Sequence, residues 1–553
     1  MKNIARKQRV LAIGLDGYEE SVERQLIAAG ELPAMARLRE KSARFLLDHG
    51  ASQRIGLTWE HFATGLSPER ASRWAAVHFD PATYEVWQEG TRLAPFAAQL
   101  KSRVVVYDTP YFDLNYAPQV FGLVNWGAHD PGIPLTERPE GLLSECESRF
   151  GRYPAADWIY GLVWHSAELT KEMGKALVQA CDTRACVARW LFGERLPDWD
   201  LAIVVASEPH SAIEGFWHGI DKTHPLHSLP SAGPARDGLI AVYRAVDRLV
   251  GELVTNFPDA AVMVFSMGGM GPNRSDVPSM VLLPELMYRY AFGRSFYRQP
   301  RAWTGDSPDG MLDAQGTWAD AVNTNFPTPF PERMRRFPGT VRKTLRRLIR
   351  QPEPEESYLH LSINWNPATR YRQYWRSMRA FALPSFYDGR IRINLAGREQ
   401  KGLVPVSQYT QLCEEIEAML RACRDPLTGE GVVDHIERRT GCDPRTLNSS
   451  ESDIVVVWKG TGCAFEHPTL GRVGPVPFRR PGGHTGNFGM AYIANSGLQA
   501  GDRGVRSSFD VVPTLIDLIG EDPLPGLSGT SLLPALTDFV AEHIGQRTTS
   551  TTS

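Results

Sequence analysis

The stretch Val262-Met263-Val264-Phe265-Ser266-Met267-Gly268-Gly269-Met270-Gly271-Pro272 continues an apolar run, Ala261–Phe265, that stops abruptly at serine, methionine and glycines. A short unbroken apolar run of this kind fits a strand buried on both faces, the pattern of a parallel sheet covered by helices. Arg9–Gly17 has the same form and ends in Asp16-Gly17, and similar runs recur at Val104–Tyr107, Leu201–Ala206 and Ile454–Trp458. Between them, Ser21–Ser42 and Ser166–Phe192 carry apolar residues at helical spacing. Strands alternating with helices predict an α/β fold: a mostly parallel central sheet with helices on both faces. Functional groups gather at the carboxyl ends of such strands, so the residues that follow each run are the ones to read for chemistry.

With 553 residues, 42% of them hydrophobic, the chain can bury a large core, and its length alone suggests two to four domains. From about Arg294 to Ser357 the alternation gives way to Pro, Gly, Arg and polar residues, an insertion or lid. The chain therefore divides into a first part of the core (1–293), the insertion (294–364), a second part of the core (365–545) and a polar, Thr/Ser-rich tail (546–553) expected to be disordered. Within the insertion, Arg333–Arg350 is strongly basic, with Val341, Leu345, Leu348 and Ile349 on one helical stripe. It reads as a helix with a solvated basic face lying on the core, or as one that docks on an anionic partner. No repeat period, dinucleotide-binding glycine motif or P-loop is present.

A formal net charge of −3 gives no bias toward a nucleic acid polymer or an anionic membrane. The seven cysteines are scattered without a CxxC pair, which fits reduced thiols better than a disulfide framework or a zinc knuckle. The basic start, Met1 to Arg9, precedes an apolar run of only Val10 to Leu15, too short for a membrane span or a signal segment. A cytoplasmic location is the expectation.

Several separated motifs carry a family resemblance. Val10 to Arg73 contains a strand, Asp16-Gly17, Gly30-Glu31-Leu32-Pro33, and a helix ending Phe62-Ala63-Thr64-Gly65-Leu66-Ser67-Pro68. Tyr387–Glu399 leads into Gly397-Arg398-Glu399, and Arg424-Asp425-Pro426-Leu427-Thr428-Gly429-Glu430 follows. Near the end stand Gly483-His484-Thr485-Gly486-Asn487-Phe488-Gly489 and Asp510-Val511-Val512-Pro513-Thr514-Leu515. In this order, over most of the chain, they resemble the type I phosphodiesterase/nucleotide pyrophosphatase family of the alkaline phosphatase superfamily, as a divergent member. The resemblance implies an alkaline-phosphatase-like fold. It also implies two metals flanking a Thr or Ser nucleophile that attacks phosphorus.

Residue by residue, the resemblance puts Asp16 in the place of the first metal ligand, although Asp-Gly is also a common turn. Ser-Asp-His-Gly-Met closes the family's strand where this chain has Ser266-Met267-Gly268-Gly269-Met270, so Met267 and Gly268 replace two ligands. An ungapped match puts Ile55 at the nucleophile. Thr58, the only hydroxyl residue between Ser52 and Thr64, is then the attacking group or a plain helix N-cap. After Leu201–Ala206, anchoring on Trp217 sets His210 and Glu214 in the family's Asp and His places; Glu208 is a competing carboxylate. His218, Asp221, His224 and His227 add further ligand types, each more often a hydrogen-bonded residue than a ligand. His484 matches the final metal-binding histidine.

What these residues imply together is one metal site rather than two: His210, Glu214 and His484, with Asp16 beside them, suited to a single divalent Zn, Mn or Fe ion. The implied function is a metal-dependent hydrolase or transferase acting on a small-molecule phosphate ester or diester, nucleotide derivatives included. Thr58 or a water would attack, with Asp16 or Glu208 orienting or deprotonating the attacker. A sulfate ester is a variant substrate. A catalytically silent binding or scaffold protein is the alternative from another class.

Overall fold

The computed structural model describes residues 8–128, 132–160, 165–303, 317–327, 358–439 and 441–533. The basic segment Arg333–Arg350 and the tail 546–553 lie outside the described residues, as does most of the expected insertion.

A nine-stranded sheet forms the centre. Its strands, in chain order, are β1 (Val10–Leu15), β2 (Ala43–Asp48), β3 (Val104–Tyr107), β4 (Phe121–Val124), β5 (Thr136–Arg138), β6 (Leu201–Ala206) and β7 (Ala261–Ser266). Four strands of a second sheet follow: β8 (Ala380–Leu383), β9 (Gly389–Ile393), β10 (Val433–Arg438) and β11 (Ile454–Trp458). The chain then returns to the centre with β12 (Gly489–Ala494) and β13 (Gly501–Ser507). The central order is β13-β2-β12-β7-β1-β6-β3-β4-β5. β1 pairs in parallel with both β6 and β7, and β3 is parallel to β6 and β4, whereas β12 runs antiparallel to both its neighbours. The mostly parallel sheet is the one the apolar runs predict.

Both faces of this sheet are covered, which is why its strands read as continuous apolar runs. Leu11, Ile13 and Leu15 of β1 point into one core and Val10 and Ala12 into the other. Seven helices pack in the cores that cover the sheet: α1 (Glu20–Ala28), α2 (Pro33–Lys41), α3 (Thr58–Thr64), α4 (Ala167–Trp190), α5 (Glu208–Ile220), α6 (Ala232–Asn256) and α7 (Val511–Leu518). α4, α5 and α6 pack on the face of Leu11; α3 and α7 pack on the other. Ser166 caps α4, its side chain accepting from the Leu169 amide. The single helical stretch expected over Ser21–Ser42 is broken into α1 and α2, because Gly30 takes φ +77° and Pro33 starts a new first turn.

Ile454–Trp458 differs from the sequence expectation. It does not join the central sheet: as β11 it lies between β9 and β10 in an antiparallel sheet of order β8-β9-β11-β10. That sheet has a separate hydrophobic core, with Trp375, Phe381, Ile391, Ile416 and Val456 among its buried residues. An apolar run reports burial on two sides but not which sheet does the burying.

Candidate active site

β1 and β6 are adjacent and parallel, so their carboxyl ends deliver Asp16 and the start of α5 to the same edge. Gly17 takes φ +61°, and a Cβ there would stand 2.7 Å from the His210 Cα; only glycine lets the Asp16 turn approach α5 this closely. His210 and Glu214 are four residues apart on α5 and so share one helix face. His484 arrives on a tight turn whose Gly482-Gly483 pairs antiparallel with Gly271-Pro272. A Cβ on Gly482 would stand 2.0 Å from the Ile213 carbonyl oxygen, so glycine permits the turn to press on the α5 backbone.

Three ligand atoms converge there. His210, Glu214 and His484 each offer one atom, all within 4.8 Å of one another. His210 Nδ1 faces Asp16 Oδ2 at 2.9 Å, and its Nε2 stands 3.1 Å from Glu214 Oε1 and 3.1 Å from His484 Nε2. With Nδ1–H donating to Asp16, Nε2 turns its lone pair toward the other two groups, the arrangement that orients a metal-ligating imidazole. Burial pushes the pKa of His484 well below its usual value, and His210 and Arg480 push in the same direction, so its ring is neutral and can act as a ligand. His210 and Glu214 are buried; His484 is partly exposed, the member of the three that solvent reaches. The Tyr387 ring sits edge-on to it, centroids 4.4 Å apart.

Arg480 closes the other side. Its Nη1 donates to Glu214 Oε1, and its Nε donates to Asp276 Oδ2 at 2.8 Å. Burial lowers its pKa to about 9, which still leaves the guanidinium charged at neutral pH. No motif in the sequence pointed to Arg480 or Asp276, and Tyr387 stood only at the start of the Tyr387–Glu399 motif, with no site role assigned to it. The one signal was the Arg479-Arg480 pair just before the Gly-Gly-His turn.

The remaining sequence candidates go elsewhere. Glu208 opens α5, but Arg184 donates to both of its oxygens, Tyr153 donates to Oε1 at 3.1 Å, and Arg184 Nη1 reaches Asp108 at 2.8 Å. Arg184, Asp108 and Glu208 are fully buried. Thr58 is the first residue of α3, not its cap; Leu57 is the N-cap and gives no side-chain cap bond. The loop before Thr58 does reach the site, since a Cβ on Gly56 would stand 2.8 Å from the Tyr387 ring. The other ligand-type residues of the segment have local bonds: His218 with Ser231, His227 with the His218 carbonyl, Asp221 with Trp217 and Thr223, and His224 with the Leu226 amide.

At the end of β7, Met267 is buried in the apolar core with Trp59 and Phe265. Gly268 faces the buried Gln53, whose amide would lie 3.2 Å from a Cβ there and donates to the carbonyls of Gly269 and Gly486 at 2.7 and 3.1 Å. Gln53 had no signal in the sequence. Among the described residues, His210, Glu214 and His484 are the only group of three or more metal-type ligands found together.

Comparison with known proteins gives structural likeness only. Phosphonoacetate hydrolase from Sinorhizobium meliloti 1021, in complex with phosphonoformate, is similar at a TM-score of 0.47 and 16% identity, over 93% of this chain and 96% of that one. Murine ectonucleotide pyrophosphatase/phosphodiesterase 5, in complex with AMP, gives 0.45 and 11%, over 95% and 97%. The human protein of that name gives 0.44 and 9%, over 94% and 96%. No family model and no curated protein matches.

Proposed function

We propose that the chain is a single-metal hydrolase or transferase of small phosphate esters or diesters, working at the pocket of His210, Glu214, His484 and Asp16. The convergence of three ligand atoms within 4.8 Å, with one imidazole held by a carboxylate, carries this reading. Two histidines and a carboxylate suit Zn, Mn or Fe. A bound ion would supply Lewis acidity toward a phosphoryl oxygen. The protein's own contributions are to keep His210 in one tautomer through Asp16, to present His484 at the solvent side, and to wall the pocket with Tyr387. Asp16 is better placed than Glu208 to take part in proton movement, because Glu208 is saturated by Arg184 and Tyr153.

A second reading, a silent binding protein, draws support from the β7 end, where Met267 and Gly268 stand in the two ligand places and Gln53 faces Gly268, and from Arg480 on Glu214. Elemental analysis after metal reconstitution, combined with assays on aryl phosphate mono- and diesters and an aryl sulfate, separates the two. One equivalent of metal and turnover, both lost in His484→Ala, supports the enzyme; two tightly held equivalents would refute a single site. Absence of metal and turnover leaves the binding protein. The sulfate arm decides the ester type.

A further inference from the structure

Arg480 is more than a neighbour of the pocket. The Glu214 oxygen it contacts is the one that stands 3.1 Å from His210 Nε2. On its far side it holds Asp276, which Arg479 also holds at 2.9 Å. Two guanidinium groups and two carboxylates thus compensate one another, and one of those carboxylates belongs to the candidate ligand set. A divalent ion approaching His210 and His484 would meet a carboxylate whose charge is already matched, with a cation a few ångströms away in a buried setting where like charges repel strongly. To ligate through Oε1, the Glu214 oxygen that faces His210, the ion must share that oxygen with Arg480 or displace the guanidinium toward Asp276.

We propose that Arg480 is a resident counter-cation of this pocket, standing on Glu214 in competition with a metal, so that a divalent ion is taken up weakly and reversibly. This rests on the reading of His210, Glu214 and His484 as ligands. The imidazoles distinguish this arginine from Arg184, whose carboxylates Asp108 and Glu208 have, among the described residues, hydrogen-bond partners in Arg184, Tyr153 and backbone amides rather than in a histidine. Three ligand-type atoms converge at His210, and Arg480 brings a positive charge to one of them from the side.

The test is calorimetric titration of the full chain with zinc ion alone, for the wild type and Arg480→Gln, each with and without His484→Ala. Arg480→Gln is expected to tighten zinc binding by about tenfold or more, a typical size for groups that act through a ligand, and His484→Ala to abolish it in both backgrounds. If the wild type binds through His484 but Arg480→Gln binds no more tightly, the role given to Arg480 is wrong and the ligand set stands. If zinc binding survives His484→Ala, or no protein binds zinc, the ligand set fails and the proposal with it. Should Arg480→Gln melt early because Glu214 has lost its cation, recovery of its melting temperature on adding zinc supports the proposal. If it stays unfolded, Arg480→Lys replaces it: the charge is kept but the fork that bridges two carboxylates is lost. Zinc affinity should then rise by a smaller factor, and an unchanged or lower affinity overturns the proposal.

Discussion

Helix α5 carries two buried glutamates, each bonded to an arginine, yet the two have different surroundings. Glu208 at its first turn meets Arg184, Tyr153 and, through the arginine, Asp108, in a group with no exposure. Glu214, further along, meets Arg480 on one side and His210 on the other, with partly exposed His484 next in line. Both lie on the helix that follows the carboxyl end of a parallel strand. The difference lies in what else converges: donors saturate Glu208, whereas imidazole nitrogens stand beside Glu214. A carboxylate at a strand end becomes a site only where its remaining neighbours still want a cation.

The largest effect should come from breaking the closed member of this pair. Arg184→Met removes the cation that, among the described residues, holds both Asp108 and Glu208, and leaves two buried carboxylates uncompensated; burial already raises the pKa of Asp108, with Arg184 opposing that rise. The expected cost is about 3–5 kcal/mol, read as a fall in the urea midpoint. A loss below about 1 kcal/mol would mean that the carboxylates find other partners, and that Glu208 is less committed to structure than its bonds indicate.

A smaller but still substantial effect should follow an attempt to give the β7 end the character of the β6 end. The resemblance suggests placing Asp at 267 and His at 268, but Met267 packs among Trp59 and Phe265 and Gly268 faces Gln53. Met267→Asp should destabilise the fold by about 2–5 kcal/mol, since it removes a buried apolar side chain and buries a carboxylate. The Met267→Asp/Gly268→His double variant should hold no more metal than the wild type. Elemental analysis and thermal melting check both halves, and a stable double variant with an added equivalent of metal would mean that residues 267 and 268 can reach the pocket after all.

Much of this was legible in the sequence, for reasons that particular residues make clear. Asp16-Gly17 was readable because a strand end is local and needs only a few neighbours in the chain. His210, Glu214 and His484 came from the family resemblance, through Trp217 and the Gly-Gly-His turn; that they meet depends on tertiary contacts the chain does not show locally. Arg480, Gln53 and Arg184 were not readable, because their roles depend on partners 266, 216 and 24 residues away, and nothing local marks an arginine or glutamine as filling a pocket. The sheet that β11 joins was hidden for a related reason: Ile454–Trp458 is as apolar as β7, and pairing partners leave no periodic trace.

The smallest structural effect is expected at Thr58, and there the comparison sharpens chemistry rather than stability. Thr58 follows the Leu57 cap, and α3 has no side-chain cap bond to lose. Thr58→Ala should therefore change stability by no more than about 0.5 kcal/mol, the scale of an ordinary partly exposed substitution, instead of the larger cost of removing a capping hydroxyl. With the fold intact, activity becomes an unambiguous readout. Near-complete loss of turnover on a phosphate diester, with zinc affinity unchanged, would identify the Thr58 hydroxyl as the attacking group. Unchanged turnover would assign attack to a water, leaving Asp16, through its bond to His210, as the nearest carboxylate to move the proton. Gly56 against Tyr387, and Tyr387 against His484, tie the loop before α3 to the pocket; the first result would require that loop to bring Thr58 to the ligands, and the second requires no movement of α3 at all.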